Sequence, residues 1–111
     1  MMSMHTDRIL LQELTNDGQS VFLHYDAMTG LYMAFGYSAY YADMAASPIL
    51  AYSDEMQMPV AILRRKDVLD IRQSMTLVNH IPRESYHFHT KQPIGDAGYE
   101  RWANRCKMEE G

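Results

Sequence analysis

Val21-Phe22-Leu23-His24-Tyr25-Asp26-Ala27-Met28-Thr29-Gly30-Leu31-Tyr32-Met33-Ala34-Phe35 is the stretch that decides the fold. Val21, Leu23 and Tyr25 alternate with Phe22, His24 and Asp26, the period of a half-buried strand. Ala27 to Gly30 supplies a loop ending in glycine, and Leu31 to Phe35 resumes the apolar run, so the segment reads as a β-hairpin. After Gly36 the period changes. Tyr37, Tyr40, Tyr41 and Met44 recur at i, i+3, i+4 and i+7, with Ser38 near the natural N-cap position, so a helix follows the hairpin directly.

Upstream, Thr6 is placed to cap a first helix with Ile9, Leu10 and Leu14 on one face, and Asn16-Asp17-Gly18 is a C-terminal stop. Downstream, Pro48 closes the second helix. Ser53-Asp54-Glu55 forms a loop, and the continuous apolar run Pro59 to Leu63 suits a buried strand. Asp67 is the expected cap of a third helix, whose apolar positions Val68, Ile71, Met75 and Val78 run on until Pro82. Glu84 to Lys91 alternates as a last strand, and a final helix begins near Asp96 with Tyr99, Trp102 and Cys106 on its inner face. The order α-β-β-α-β-α-β-α predicts an α+β fold, about four helices covering a small mixed sheet that contains the hairpin. With 111 residues, no internal repeat and no linker, a single domain over 1–111 is expected.

Four short segments carry a family resemblance: Val21-Phe22-Leu23, Thr29-Gly30-Leu31-Tyr32-Met33, Phe35-Gly36-Tyr37-Ser38-Ala39, and Gln57-Met58-Pro59-Val60 leading to Asp67-Val68-Leu69. In this succession the chain resembles the N-terminal domain of the MutS family of DNA mismatch-repair proteins over about residues 9–80. The resemblance implies a shared fold and a shared docking surface. The family reads mismatches with a Phe that wedges into the base stack and a Glu two residues later. Leu31 and Met33 stand in those places, and neither an aliphatic chain nor a thioether can do that chemistry. The hairpin is also about three residues longer than the family pattern, and the family's ATPase and clamp domains are absent. The resemblance therefore does not extend to mismatch repair.

The chain carries a net charge of −4, unevenly spread, since residues 1–63 hold one base against seven acids and residues 64–111 nine bases against seven acids. Arg64-Arg65-Lys66 is the one cationic cluster. With Arg72 it is the nucleic-acid-binding alternative, phosphates being held by Lys and Arg, with Tyr32 or Tyr37 stacking on bases; a solvated strand-to-helix junction is the plainer reading. Apolar runs fall far short of the roughly 20 residues that span a bilayer. The single cysteine and an N-terminus without a basic and an apolar region point to a reducing, cytoplasmic setting.

Chemistry-bearing motifs are few. His87-Phe88-His89 puts two imidazoles on one strand face, and with His80 upstream and Glu84 as a carboxylate they form the metal-binding alternative, though no Cys pair or His-Glu-x-x-His spacing accompanies them. Cys106, behind Trp102 at helical spacing, reads as a buried small hydrophobe, and neither phosphate-loop glycine pattern occurs. Ten methionines and eight tyrosines are the unusual supply. Tyr37, Tyr40 and Tyr41, with Asp54, Glu55 and Met56, are the expected surface for a protein partner, even though helical stripes usually face a core. The expectation is a non-catalytic interaction module without a cofactor. Its acidic half could mimic nucleic acid and inhibit an enzyme that handles it, and an exposed strand edge could build a homodimer.

Overall fold

Asp26 builds the turn of the hairpin. Its carbonyl accepts from the Gly30 amide at 2.8 Å, and its carboxylate takes the Thr29 hydroxyl at 2.8 Å and the Met28 amide at 3.3 Å. Gly30 closes the turn at φ +74°, where a side chain would be strained. The flanking strands are β1 (Ser20–Asp26) and β2 (Leu31–Phe35), paired antiparallel with His24 opposite Met33. A computed structural model of the chain describes residues 6–90 and 96–110. The remaining elements are α1 (Thr6–Leu14), α2 (Tyr37–Ala45), β3 (Ile49–Ser53), β4 (Met58–Leu63), α3 (Arg65–Ser74), β5 (Thr76–Ile81), β6 (Ser85–His89) and α4 (Asp96–Glu110).

The class is α+β, as the sequence predicts, with two strands added and a sheet that is antiparallel throughout rather than mixed. Its order is β3-β4-β2-β1-β6-β5. Of the two additional strands, β3 is the run Ile49-Leu50-Ala51-Tyr52 after Pro48, which pairs along the edge of β4. In β5 the helical spacing of Val68, Ile71, Met75 and Val78 misleads. Helix α3 stops at Ser74, and Met75 turns extended (φ −127°, ψ 164°) while its amide still reaches the Ile71 carbonyl. Thr76, Leu77 and Asn79 to Ile81 then pair with β6, a ladder that an extra helical turn would forgo. A bulge at Val78 interrupts that ladder between Leu77 and Asn79.

Strand alternation gives the sheet two unlike faces. Val21, Leu23, Ala34, Ala61, Leu63, Tyr86 and Phe88 form the main core with α2, α3 and α4. Among the described residues the other face is covered only by α1, whose Ile9 joins Phe35, Met56, Met58 and Val60 in a smaller cluster. Helix α1 buries Ile9 and half-buries Leu10 of the expected face, but not Leu14. Leu14 is 71% exposed, and Glu13 turns inward instead. Thr6 is the first residue of α1, and its capping role lies outside the described side chains.

Glu13 is inward because it serves the start of α2. One carboxylate oxygen accepts the Ser38 hydroxyl at 2.6 Å, and the other accepts the Ser38 amide at 3.2 Å and the Asn16 amide at 3.3 Å. The Ser38 oxygen in turn accepts the Phe22 amide at 2.8 Å. Ser38 is therefore a buried link between α1, α2 and β1, and Gly36 is the N-cap. Likewise Asp67 is the third residue of α3 and not its cap. Its carboxylate accepts from the amide of the capping residue Arg64 at 2.9 Å.

Gly36 sits at φ +57°, ψ −126°, and a Cβ there would lie 3.3 Å from Met58 Sδ and 3.4 Å from Glu13 Cβ. Gly36→Ala is therefore expected to cost about 1–3 kcal/mol through backbone strain and crowding. A urea midpoint unchanged from the parent would contradict this.

Candidate functional site

Arg8, Ile9 and Gln12 share one face of α1 at i, i+1 and i+4, and that face leans over β1, β6 and β5 without closing on them. The gap is a cleft of about 430 Å³. Its floor is a row of rings. Phe22 lies opposite His87 in the β1–β6 ladder, their centroids 4.5 Å apart and nearly parallel, and Asn79 of β5 is the partner of His87 on the other side. His24, two residues along β1, leans 6.0 Å from Phe35, and His89 contacts His87 edge-on at 5.4 Å.

Three polar atoms here are buried and meet no hydrogen-bond partner among the described residues: Gln12 Oε1, His24 Nε2 and His87 Nε2. Buried polar atoms are paired as a rule, so three exceptions around one cleft single it out. Burial, with help from the Arg8 charge, pushes the His24 imidazole down to about pH 4. His87 is also lowered, first by burial and then by His89, against a weaker pull from Asp17. Both rings are neutral at pH 7, so each offers one N–H and one lone pair. Ser85 faces His24 across the ladder, yet among the described residues no hydrogen bond joins them.

Of the residues singled out in the sequence, His87 and Glu84 line this cleft, and the others fall elsewhere. Tyr37 stacks on Tyr99 of α4 at 4.1 Å, and Tyr40 packs on Trp102 at 5.1 Å. Tyr41 is 2% exposed and its hydroxyl donates to the Gly18 carbonyl. Met56 is buried, leaving Asp54 and Glu55 exposed on the β3–β4 turn. These six residues do not make one surface, because the tyrosine stripe is what α4 packs against. The basic cluster is grouped at the start of α3. Arg64 Nε pairs with Asp67 at 3.1 Å and its Nη2 donates to the Ser47 carbonyl at 3.0 Å, while Lys66 lies 3.9 Å from Asp67; Arg65 and Arg72 are exposed. Burial works against ionising Asp67, but its bonds to the Arg64 amide and guanidinium outweigh that and hold it below the usual carboxylate range.

The histidine trio is divided by the sheet. His87 and His89 face α1, whereas His80 pairs with Tyr86 and stacks on it at 4.0 Å on the opposite face. Strand alternation sets this separation, and it corrects the shared metal site expected of His80, His87 and His89. Among the described residues no three His, Cys, Asp or Glu side chains are grouped to hold a metal ion. Cys106 is buried behind Trp102, as its spacing predicts. His24, Gln12 and Glu13 went unnoticed in the sequence. The i, i+4 pair Arg8 and Gln12 and the Phe22-x-His24 alternation are the signals present, but only the β1–β6 register joins them to His87.

A second, smaller cleft of about 290 Å³ lies between α4 and the β3–β4 hairpin, where Lys107 Nζ stands 5.8 Å over the Tyr52 ring. Among the described residues no helix is long and apolar enough to cross a membrane. Comparisons with family models, curated proteins and solved structures return no match. Among the described residues the geometry is that of an α+β domain whose six-stranded antiparallel sheet is packed under three helices on one face and half-covered by one on the other.

Proposed function

We propose that this protein is a non-catalytic binding domain and that its binding site is the cleft under α1. The observation that carries the reading is the convergence of Gln12 Oε1, His24 Nε2 and His87 Nε2, buried and unpaired, on one opening of small-molecule size. Leaving such atoms unpaired costs about 1–3 kcal/mol each, a cost that a bound polar group would relieve. A base as weak as His24, with no carboxylate bonded to it among the described residues, suits holding a ligand better than moving its protons. A polar fragment library screened by NMR against labelled protein is expected to give hits that shift the Gln12 amide and the His24 and His87 rings together. Hits that cluster elsewhere, or none at all, would overturn the reading.

A protein partner is the second reading. It is supported by the outer ridge of α1, where Leu11 and Leu14 are 63% and 71% exposed one turn apart. Glutamate at both positions would abolish capture of such a partner while leaving fragment binding in the cleft intact.

A further inference from the structure

We infer that the cleft under α1 takes a nucleotide, its flat heterocycle slotted between the rings of Phe22, His24 and His87 and the Ile9–Gln12 face of α1, with its phosphate toward Arg8. This names the ligand class of the binding reading above and rests on it.

Shape is the first argument. The floor holds one near-parallel pair, Phe22 on His87 at 4.5 Å, beside the tilted His24 ring, and the roof is the side of a single helix. A slot of that form accepts a planar group, and stacking on aromatic faces is worth about 1–3 kcal/mol per base. Hydrogen bonding is the second. A nucleobase edge carries donors and acceptors side by side. The cleft answers with the Gln12 carbonyl, two imidazoles and the amide of Asn79 directly across the ladder from His87. A purely apolar ring would leave all of these unpaired. Charge is the third. Arg8 and Arg83 at the rim outnumber Glu84, and Arg8 adds a smaller push to the burial that keeps His24 neutral. The same field disfavours a cationic ligand and favours an anion.

The chemistry, a base joined to a phosphate, could come from a free mononucleotide or from one residue of a single strand. Calorimetric titration of the full chain with AMP, adenosine, inorganic phosphate and a short single-stranded oligodeoxyadenylate separates the sources. AMP is expected to bind one to one and more tightly than adenosine. Tighter binding of the oligonucleotide, in competition with AMP, would support the inference with a strand as the source. Binding of phosphate alone, or of adenosine as tightly as AMP, would overturn it.

Two variants remove the chance that fold loss is mistaken for site loss. Gln12→Leu should weaken AMP at least about tenfold while leaving the melting temperature equal or higher, because it deletes a buried acceptor that nothing in the protein pairs. A lowered melting temperature with unchanged AMP affinity would mean that Gln12 is structural and would overturn the inference. Arg8→Gln, at an exposed position, should weaken AMP about tenfold and leave adenosine unchanged. If no nucleotide binds while other polar fragments shift Gln12, His24 and His87, the nucleotide inference falls and the binding reading stands. If nothing shifts those residues, both fall.

Discussion

Glu13→Gln is expected to turn a protein whose stability barely changes across mild acid into one whose stability climbs with pH. Two buried groups of opposite kind produce the effect. Burial raises the Glu13 carboxyl from 4.5 to about 7, against the opposing hydrogen bonds from Ser38 and Asn16. Between those values the folded chain holds a proton that the unfolded chain has lost, so stability falls as pH rises from 4.5 to 7. Burial lowers His24 from 6.5 to about 4, so there the unfolded chain holds the extra proton and stability rises with pH. Each effect is on the order of 3 kcal/mol over its window. From 4.5 to 6.5 they run against each other and nearly cancel.

Glu13→Gln removes one arm and leaves the rising one, to which His87 adds in the same direction. His24→Phe removes the other and leaves a stability that falls toward pH 7. Asp17 and Asp67 have lowered pKa values, and their contributions are lost only in stronger acid, as pH falls through those values. Urea denaturation of the three proteins across the window reads all of this. Parallel curves for parent and Glu13→Gln would show that Glu13 titrates alike in the folded and unfolded chains, and would discard the account.

Trp102→Ala is expected to cost about 3–5 kcal/mol, the usual range for emptying a large aromatic site. Trp102 is 4% exposed, packs against Tyr40 at 5.1 Å and Tyr99 at 6.1 Å, and donates its indole N–H to Asp43 at 3.0 Å. That bond ties α4 to α2 across 59 positions of sequence. Truncation empties the site and leaves the Asp43 carboxylate without this donor. Trp102→Phe fills most of the volume but lacks the N–H, so its smaller loss, measured by the same denaturation, separates the packing part from the hydrogen bond. Equal losses for both variants would mean that the bond to Asp43 carries nearly all of the effect, against the packing argument.

What the sequence makes legible is local. The hairpin from Val21 to Phe35, the helix after Gly36, the strand from Pro59 to Leu63 and the inner face Tyr99-Trp102-Cys106 each carry their own period, and each lies where that period puts it. The two added strands are harder to see. Val78 satisfies both a helical and a strand pattern, and what decides between them is a partner strand that ends at His89. The cleft is less legible still, because Gln12, His24 and His87 belong to three elements and meet only through the ladder of β1 with β6 and the tilt of α1. The tyrosine stripe was misleading for a related reason. Tyr37 and Tyr40 look like a surface until α4 arrives from some 60 positions away to cover them.

The bulge at Val78 has a bearing on how the molecule behaves in company. Strand β5 is exposed along its whole length and forms one border of the sheet, its outer main-chain groups unclaimed among the described residues, with the apolar side chains of Leu77, Val78 and Ile81. A flat border of that composition is a template on which a neighbouring molecule could extend the sheet, and then another, toward a fibre. The extra residue breaks the template. A strand in step with Asn79–Ile81 falls out of step before Leu77, and its side chains there turn to the wrong side. One inserted valine thus works against stacking copy upon copy along that border.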